Sequence, residues 1–364
     1  MQKNKIFALV AGMIVVIAAV GVAIVLANGG GGEGPSATSV TDSLGRTVQI
    51  PEEIDSIFCI GACSLRLVSY FESVDKVHAI ETAGTFNTRD DQTYYLIDKV
   101  RFSALPQVAT TAEGIVALSP DLVITSTATD AGSADTLQTQ TGIPVYAINA
   151  NLEFGEDFYD QMLAIGTLLG ERGRALVLNQ GIADMISEIT SKAITASNMS
   201  AYACGMFYYG GASLLKGSGN YLPFDYSNVT NAIPPAPNGQ PYVITLETLL
   251  AADPDYMFID SIGLGDCINS INGYIDSNTG MGNVSAVKND RIYSTMVYKC
   301  YGTNWENQLM NAYYIASKMN GELYSWTFEE KANEIIQLFY PGTTVSYSQI
   351  VDGQTGSGCG KVTL

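Results

Sequence analysis

The chain has 364 residues, 47% of them apolar and 15% charged, enough for about two globular domains and too apolar for a disordered chain. Its 18 Lys and Arg against 36 Asp and Glu leave a net charge of −18, which repels phosphate backbones and argues against nucleic-acid binding. With one histidine, His78, a His-rich zinc site and an H-E-x-x-H protease are excluded.

Lys3 and Lys5 precede an uncharged run at 6–27. As a helix this run is about 33 Å long, enough to span the hydrocarbon layer. It predicts a transmembrane anchor, with residues 1–5 in the cytoplasm and the folded part outside it: a single-pass protein of the cell membrane. A signal peptide is the rival reading, because Val25 and Ala27 fit the small-residue pattern before a cleavage point. Residues 28–39 are Gly/Ser-rich and read as a flexible linker.

Six cysteines, Cys59, Cys63, Cys204, Cys267, Cys300 and Cys359, suggest disulfides in an exported chain, with connectivity left open. Cys59 and Cys63, four apart, read as a disulfide or buried thiols before a metal pair. Sequons at Asn198, Asn228 and Asn283 carry meaning only in a host that glycosylates them.

Along the folded part, Ser56–Ile60, Asp121–Thr125 and Pro144–Ile148 are short β-type runs, with helical patterns after Gly61 and around Thr136–Gln140. This alternation predicts parallel α/β units. His78 falls in an apparent strand and reads as a structural histidine. From Glu156 to Thr195 two helical patterns follow each other, broken at 170–173, the second long enough to bridge two lobes. The α/β alternation then resumes: strands at Ala201–Tyr209, Tyr256–Asp260 and Arg291–Thr295, helices at Leu246–Ala252, Trp305–Met319 and Phe328–Phe339. The Gly/Ser-rich stretch Gly353–Gly360 is expected to be mobile.

One segment is repeated. Glu113-Gly-Ile-Val-Ala-Leu-Ser-Pro120-Asp121 is echoed by Glu247-Thr-Leu-Leu-Ala-Ala-Asp-Pro254-Asp255, each running directly into a buried strand. Matching Glu, Ala, Pro and Asp at the same offsets points to two related lobes.

Val40-Thr-Asp-Ser-Leu-Gly-Arg46-Thr-Val-Gln-Ile-Pro51 resembles the opening hairpin of substrate-binding proteins for iron-siderophore and cobalamin ABC importers. The resemblance continues through Ala117–Ile124, Gly142–Val145, Ile165–Gly170, Leu246–Asp255 and Val287–Tyr293, so it covers about residues 40–340. It implies a class III periplasmic-binding-protein fold: two Rossmann-like α/β lobes joined by a single long rigid helix, with ligand in the cleft between them. The expected domains are an N-terminal lobe at 40–155, connecting helices at 156–195, a C-terminal lobe at 196–340 and a tail at 341–364. The implied role is the extracytoplasmic receptor of an ABC importer, with the permease and its ATPase as partners. The implied ligand is a complexed metal, an iron or cobalt chelate or another metallophore, because a lone histidine does not fit the free-metal receptors. No intrinsic cofactor, metal site or catalytic residue is read from the chain, so it is not taken as an enzyme. A metal-complex-handling enzyme or a surface sensor ectodomain on the same scaffold is the alternative.

Ligands of parallel α/β lobes sit beyond the carboxyl ends of the strands. The candidates there are Ser64, as a helix cap, and Arg66, for a ligand carboxylate or phosphate. Phe86 and Arg89 lie on a polar loop. Tyr208 and Tyr209 suit stacking on a flat chelate, and Tyr301, Asn304 and Trp305 precede or open a helix. Glu306 forms a capping-box pattern with Thr303. In the resembled family an acidic residue on each lobe meets permease arginines, which gives Glu113 and Glu247 that docking role.

Overall fold

In the computed structural model, Asp42 organises the opening hairpin of β1 (Thr38–Thr41) and β2 (Thr47–Ile50). Its carboxylate accepts the Leu44 and Arg46 amides, each at 3.0 Å, and pairs with the Arg46 guanidinium at 2.7 Å. Arg46 also donates to the Val145 carbonyl, which ties the hairpin to a later strand. A D-x-x-G-R sequence is thus a turn and an anchor together. The described residues are 38–82, 92–193, 199–207, 210–353 and 358–364. They fall into two units, one comprising residues up to Arg89 with Asp98–Ser187, the other Asp90–Ile97 with Glu188–Leu364.

The first unit continues with β3 (Ile57–Ile60), α1 (Ser64–Tyr70) and β4 (Ile80–Glu81). Helix α2 (Thr93–Ile97) belongs to the second unit. After α3 (Lys99–Ala104) come β5 (Gln107–Val108), α4 (Ala112–Leu118), β6 (Leu122–Thr125), α5 (Ala131–Thr141) and β7 (Val145–Ala147). Strands β3, β6 and β7 form a parallel sheet in that order. Every residue of the three is buried, as expected of parallel strands covered on both faces. Helix α6 (Glu156–Leu168) leads to α7 (Arg172–Ala193), 22 residues and about 33 Å long, within which the chain passes into the second unit.

The second unit holds β8 (Ser200–Cys204), β9 (Lys216–Gly217), α8 (Leu222–Tyr226), β10 (Thr230–Asn231), β11 (Tyr242–Val243), α9 (Leu246–Ala252) and β12 (Tyr256–Asp260). Then follow α10 (Leu264–Asp276), α11 (Ser285–Lys288), β13 (Ile292–Thr295), α12 (Trp305–Met319), α13 (Phe328–Phe339), α14 (Tyr347–Gly353) and β14 (Gly360–Lys361). The sheet order is β11-β9-β8-β12-β13-β14, with β10 beside β8. Alternate residues of β8 and β12 feed opposite faces. Tyr202, Cys204, Met257 and Ile259 pack with Cys267 and Ile271 of α10, while Ala201, Ala203, Tyr256 and Phe258 pack with Tyr314 and Ile315 of α12.

The repeated segment has the same build in each unit. Helices α4 and α9 are each seven residues, capped by Thr111 and Thr245, whose side chains accept the Gly114 and Thr248 amides. Each ends on a left-handed residue, Ser119 or Asp253. Asp121 then accepts the Ser56 amide and hydroxyl, both at 2.9 Å, and Asp255 accepts those of Ser200 at 2.8 and 3.3 Å. In both units this carboxylate fastens a new strand to the start of its parallel neighbour.

Several expectations are corrected. An N-terminal transmembrane helix is not part of the described fold: no helix among the described residues is long and apolar enough to cross a membrane, and 6–27 lies outside them. Two α/β units with connecting helices stand without it, and the single-pass localisation and membrane partnership that rested on it are set aside. None of the six cysteines is in a disulfide. His78 is exposed and precedes β4 instead of lying in a strand. The mobility expected of Gly353–Gly360 falls on a stretch of which 354–357 lie outside the described residues. Val362 is buried, Ser294 donates to the Gly358 carbonyl at 2.6 Å, and β14 pairs antiparallel with β13. An edge strand beside an aromatic surface is anchored by packing that composition does not report.

Candidate ligand-binding site

At the carboxyl ends of β3 and β6, close packing dictates the backbone. Gly61 has a φ of +81°, and a Cβ there would stand 2.6 Å from both Ser126 Oγ and Thr127 Cγ2. Its amide donates to Glu81 Oε2 at 3.0 Å. Cys63, also left-handed, is the N-cap of α1, so Ser64 is the first helical residue and does not cap. The Ser64 hydroxyl donates back to the Gly61 carbonyl at 2.7 Å. Ser64 and Arg66 are both buried within this unit, Arg66 at 1% exposure. Beyond β7, the Asn149 amide and carbonyl are held by the Gln161 side chain at 2.7 and 3.2 Å, and Asn149 and Asn151 are exposed.

In the second unit Asn304, the N-cap of α12, and Asn307 and Asn311 within it determine the loop that follows β13. The Asn311 side chain accepts the Met296 amide and donates to its carbonyl, both at 2.9 Å. Asn304 and Asn307 donate to the Val297 carbonyl at 2.8 and 3.0 Å. Residues 304, 307 and 311 share one helix face, because i, i+3 and i+7 repeat at the α-helical period. From β12, Asp260 adds a carboxylate oxygen to the Tyr298 amide at 2.8 Å. All four carboxylate or amide side chains are buried. Their hydrogen bonds to the Met296, Val297 and Tyr298 backbone fix one loop geometry, although the Asn304 side-chain oxygen is buried without a partner.

The tip of that loop is Tyr301, 54% exposed and left-handed with a φ of +59°. A short turn carries it: Lys299 bridges Thr303, and the Cys300 amide donates to the Gly302 carbonyl at 3.0 Å. Positive φ is uncommon for an aromatic residue and persists where surrounding contacts enforce it. Phe207, on the loop after β8, is 39% exposed, with its ring centroid 6.1 Å from that of Tyr301. At the far end of the Phe207 loop, Lys216 Nζ donates to the Gly211 carbonyl at 2.5 Å. Two exposed rings on pinned loops thus stand at the carboxyl ends of β8 and β13. Such a pair suits an apolar or flat ligand face.

The predicted site residues divide accordingly. Tyr301 is an exposed surface group. Asn304 and Trp305 are fully buried as the N-cap of α12 and its first residue. Phe86, Arg89, Tyr208 and Tyr209 lie outside the described residues. The Thr303–Glu306 capping box is not formed; Glu306 is buried and accepts the Tyr340 hydroxyl at 2.9 Å. Phe207, Asn307 and Asn311 are not among the sequence-derived candidates; the spacing of Asn304, Asn307 and Asn311 along one helix face is the signal that could find the latter two. Glu113 and Glu247 are exposed in the first turns of α4 and α9. The Glu247 carboxylate lies below its usual range, because its own amide and the Thr245 side chain hydrogen-bond to it. No group of three or more metal-ligating side chains occurs among the described residues.

A family model described as periplasmic binding protein matches residues 57–296. No curated protein matches the chain. Among solved structures it is similar to a periplasmic solute binding protein from Veillonella parvula, at 18% identity over 86% of this chain and 95% of that one, TM-score 0.66. A second is the molybdate periplasmic binding protein MolA of a Haemophilus influenzae ABC transporter, with molybdate bound, at 13% identity over 85% and 99%, TM-score 0.63. A third is CeuE of Helicobacter pylori with Ni(II) bound, at 14% identity over 87% and 99%, TM-score 0.61. Identities this low speak for the fold alone.

Proposed function

The chain belongs to the periplasmic binding protein family, and on that premise we propose that it captures a metal chelate and delivers it to an ABC permease and its ATPase. The chelate is a ferric siderophore, a corrinoid or a similar complex. The observation that carries this reading is the exposed Phe207–Tyr301 pair on loops pinned at the strand ends. An aromatic face over a flat organic shell contributes about 1 kcal/mol beyond the area it buries. Tyr208 and Tyr209 extend that surface in the proposal, with Asn304 and Trp305 as its support. Support comes also from the metal-containing ligands of the two similar proteins, molybdate in one and Ni(II) in the other. Binding, not catalysis, is the activity, and the proposal places the folded chain outside the cytoplasm. Native mass spectrometry of the full chain with ferric siderophores and corrinoids tests it. One chelate should be retained by the wild type and lost or weakened on Phe207→Ala with Tyr301→Ala. Equal retention by both proteins would move the site elsewhere.

Docking rests, in this reading, on Glu113 and Glu247, exposed at equivalent places in the two repeats. Rim charges govern association more than folding. Glu113→Lys with Glu247→Lys should abolish chelate uptake in cells while leaving chelate affinity unchanged. Wild-type uptake by the double variant would leave both residues as helix-start carboxylates only.

A further inference from the structure

Cys204 ends β8, and Cys267 lies in the first turns of α10, in the same buried cluster of the second unit. Both are 0% exposed. A Cβ on Gly205, the residue after Cys204, would stand 3.2 Å from Cys267 Sγ, so the helix presses its thiol against the end of the strand. Burial and the neighbouring Cys267 thiol together hold the Cys204 thiol well above its usual range. Cys59, by contrast, packs in the first unit and Cys359 hydrogen-bonds Asn311, so neither competes for this pair.

We infer that Cys204 and Cys267 form a disulfide joining β8 to α10 when the chain folds in an oxidising compartment. The oxidant is a small disulfide. A thiolate of one cysteine attacks it, giving a mixed disulfide and releasing one small thiolate. The other cysteine loses its proton, attacks the bound protein sulfur and expels the second small thiolate. Two protein thiols are oxidised, one small disulfide is reduced, and the two protons end on the released thiols. Burial pushes the Cys204 thiol well above its usual range, so the exchange belongs to the folding chain, before the core closes. The bridge closes a loop of about 60 residues and fixes the root of the Phe207 loop, which starts at Gly205. It would hold the aromatic surface on its sheet without crossing it.

The test refolds the reduced, denatured full chain in a glutathione redox buffer, alkylates it under denaturing conditions and maps the peptides. A Cys204–Cys267 cross-linked peptide and four alkylated cysteines are expected, with a melting temperature roughly 5–10 °C above that of the reduced chain. Cys267→Ser should lose the bridge and Cys59→Ser should keep it. The wild-type peptide map decides the matter by itself if either variant misfolds. Six alkylated cysteines after refolding, or a bridge between another pair, would overturn the inference. Incubating the already folded chain in the same buffer should leave both thiols reduced for hours. Equally rapid oxidation there would refute the folding-stage route.

Discussion

Tyr301 and Trp305 are four residues apart in one loop-to-helix stretch, yet one is 54% exposed and the other fully buried. Tyr301 sits on a left-handed turn whose backbone is held from below. Trp305 belongs to the holder, together with Asn304, Asn307 and Asn311, which are buried and bind the loop backbone. The contrast separates two kinds of aromatic residue that a sequence motif presents as one. A ring that touches a ligand needs exposure, and exposure in a defined place needs a buried polar scaffold.

Mutations should split the two regions cleanly. Trp305→Ala is expected to have the largest effect, a loss of about 3–5 kcal/mol in chemical denaturation, because it removes a fully buried large ring. A small loss of stability with a large loss of affinity would reverse the assignment of Trp305. Asn311→Ala leaves the Met296 amide and carbonyl without their partner. It should cost about 1–3 kcal/mol and weaken chelate binding through the displaced loop, by calorimetry against the parent. Tyr301→Ala should lower chelate affinity about fivefold, equivalent to roughly 1 kcal/mol, with the melting temperature almost unchanged. Tyr301→Gly sharpens that comparison. Glycine accepts positive φ without strain, so this variant should melt no lower than Tyr301→Ala while binding equally poorly. If it binds like wild type, the aromatic ring is irrelevant to the ligand.

A smaller effect distinguishes the exposed from the buried parts of the repeated joint. Partial burial pushes the Asp121 carboxyl up, but hydrogen bonds from the Asp55 and Ser56 amides and the Ser56 hydroxyl outweigh it, so its pKa lies below the usual value. A carboxylate with a depressed folded pKa stabilises the fold above its unfolded pKa of about 3.9, and that contribution is lost as pH falls through the folded pKa. Asp121→Asn should therefore melt below wild type at neutral pH, and the gap should close in acid. A gap independent of pH would show that the carboxylate charge contributes nothing at this joint.

Much of the fold was legible in the sequence. Leu246–Ala252, Tyr256–Asp260, Trp305–Met319 and Phe328–Phe339 were bounded as they occur, since each is a clean helical or apolar run between breaking residues. The repeated Glu-to-Asp segments announced two related units through local capping and turn chemistry, which short-range interactions dictate. Composition carries less, because it says nothing of which residues pair. Past the residues left undescribed at 354–357, Gly360–Lys361 is a sheet edge, where Val362 is buried and Ser294 donates to the Gly358 carbonyl. The cysteine count carries no pairing; all six are free thiols in the structure, and only the fold brings Cys204 and Cys267 into one cluster.

What the sequence by itself determined was the α/β alternation, the long second helix of the connecting pair and the duplicated joint, all products of interactions within a few turns or one strand pair. The tertiary structure decided the rest. It placed Thr93 of α2 in the second unit, where its hydroxyl donates to Asn307 at 2.9 Å, although that segment follows the first unit's strands in the chain. It also paired Phe207 with Tyr301 and buried Arg66, Asn304 and Trp305. Exposure and pairing depend on which residues far apart in the chain pack against each other, and no local pattern of apolar, polar and turn residues encodes that.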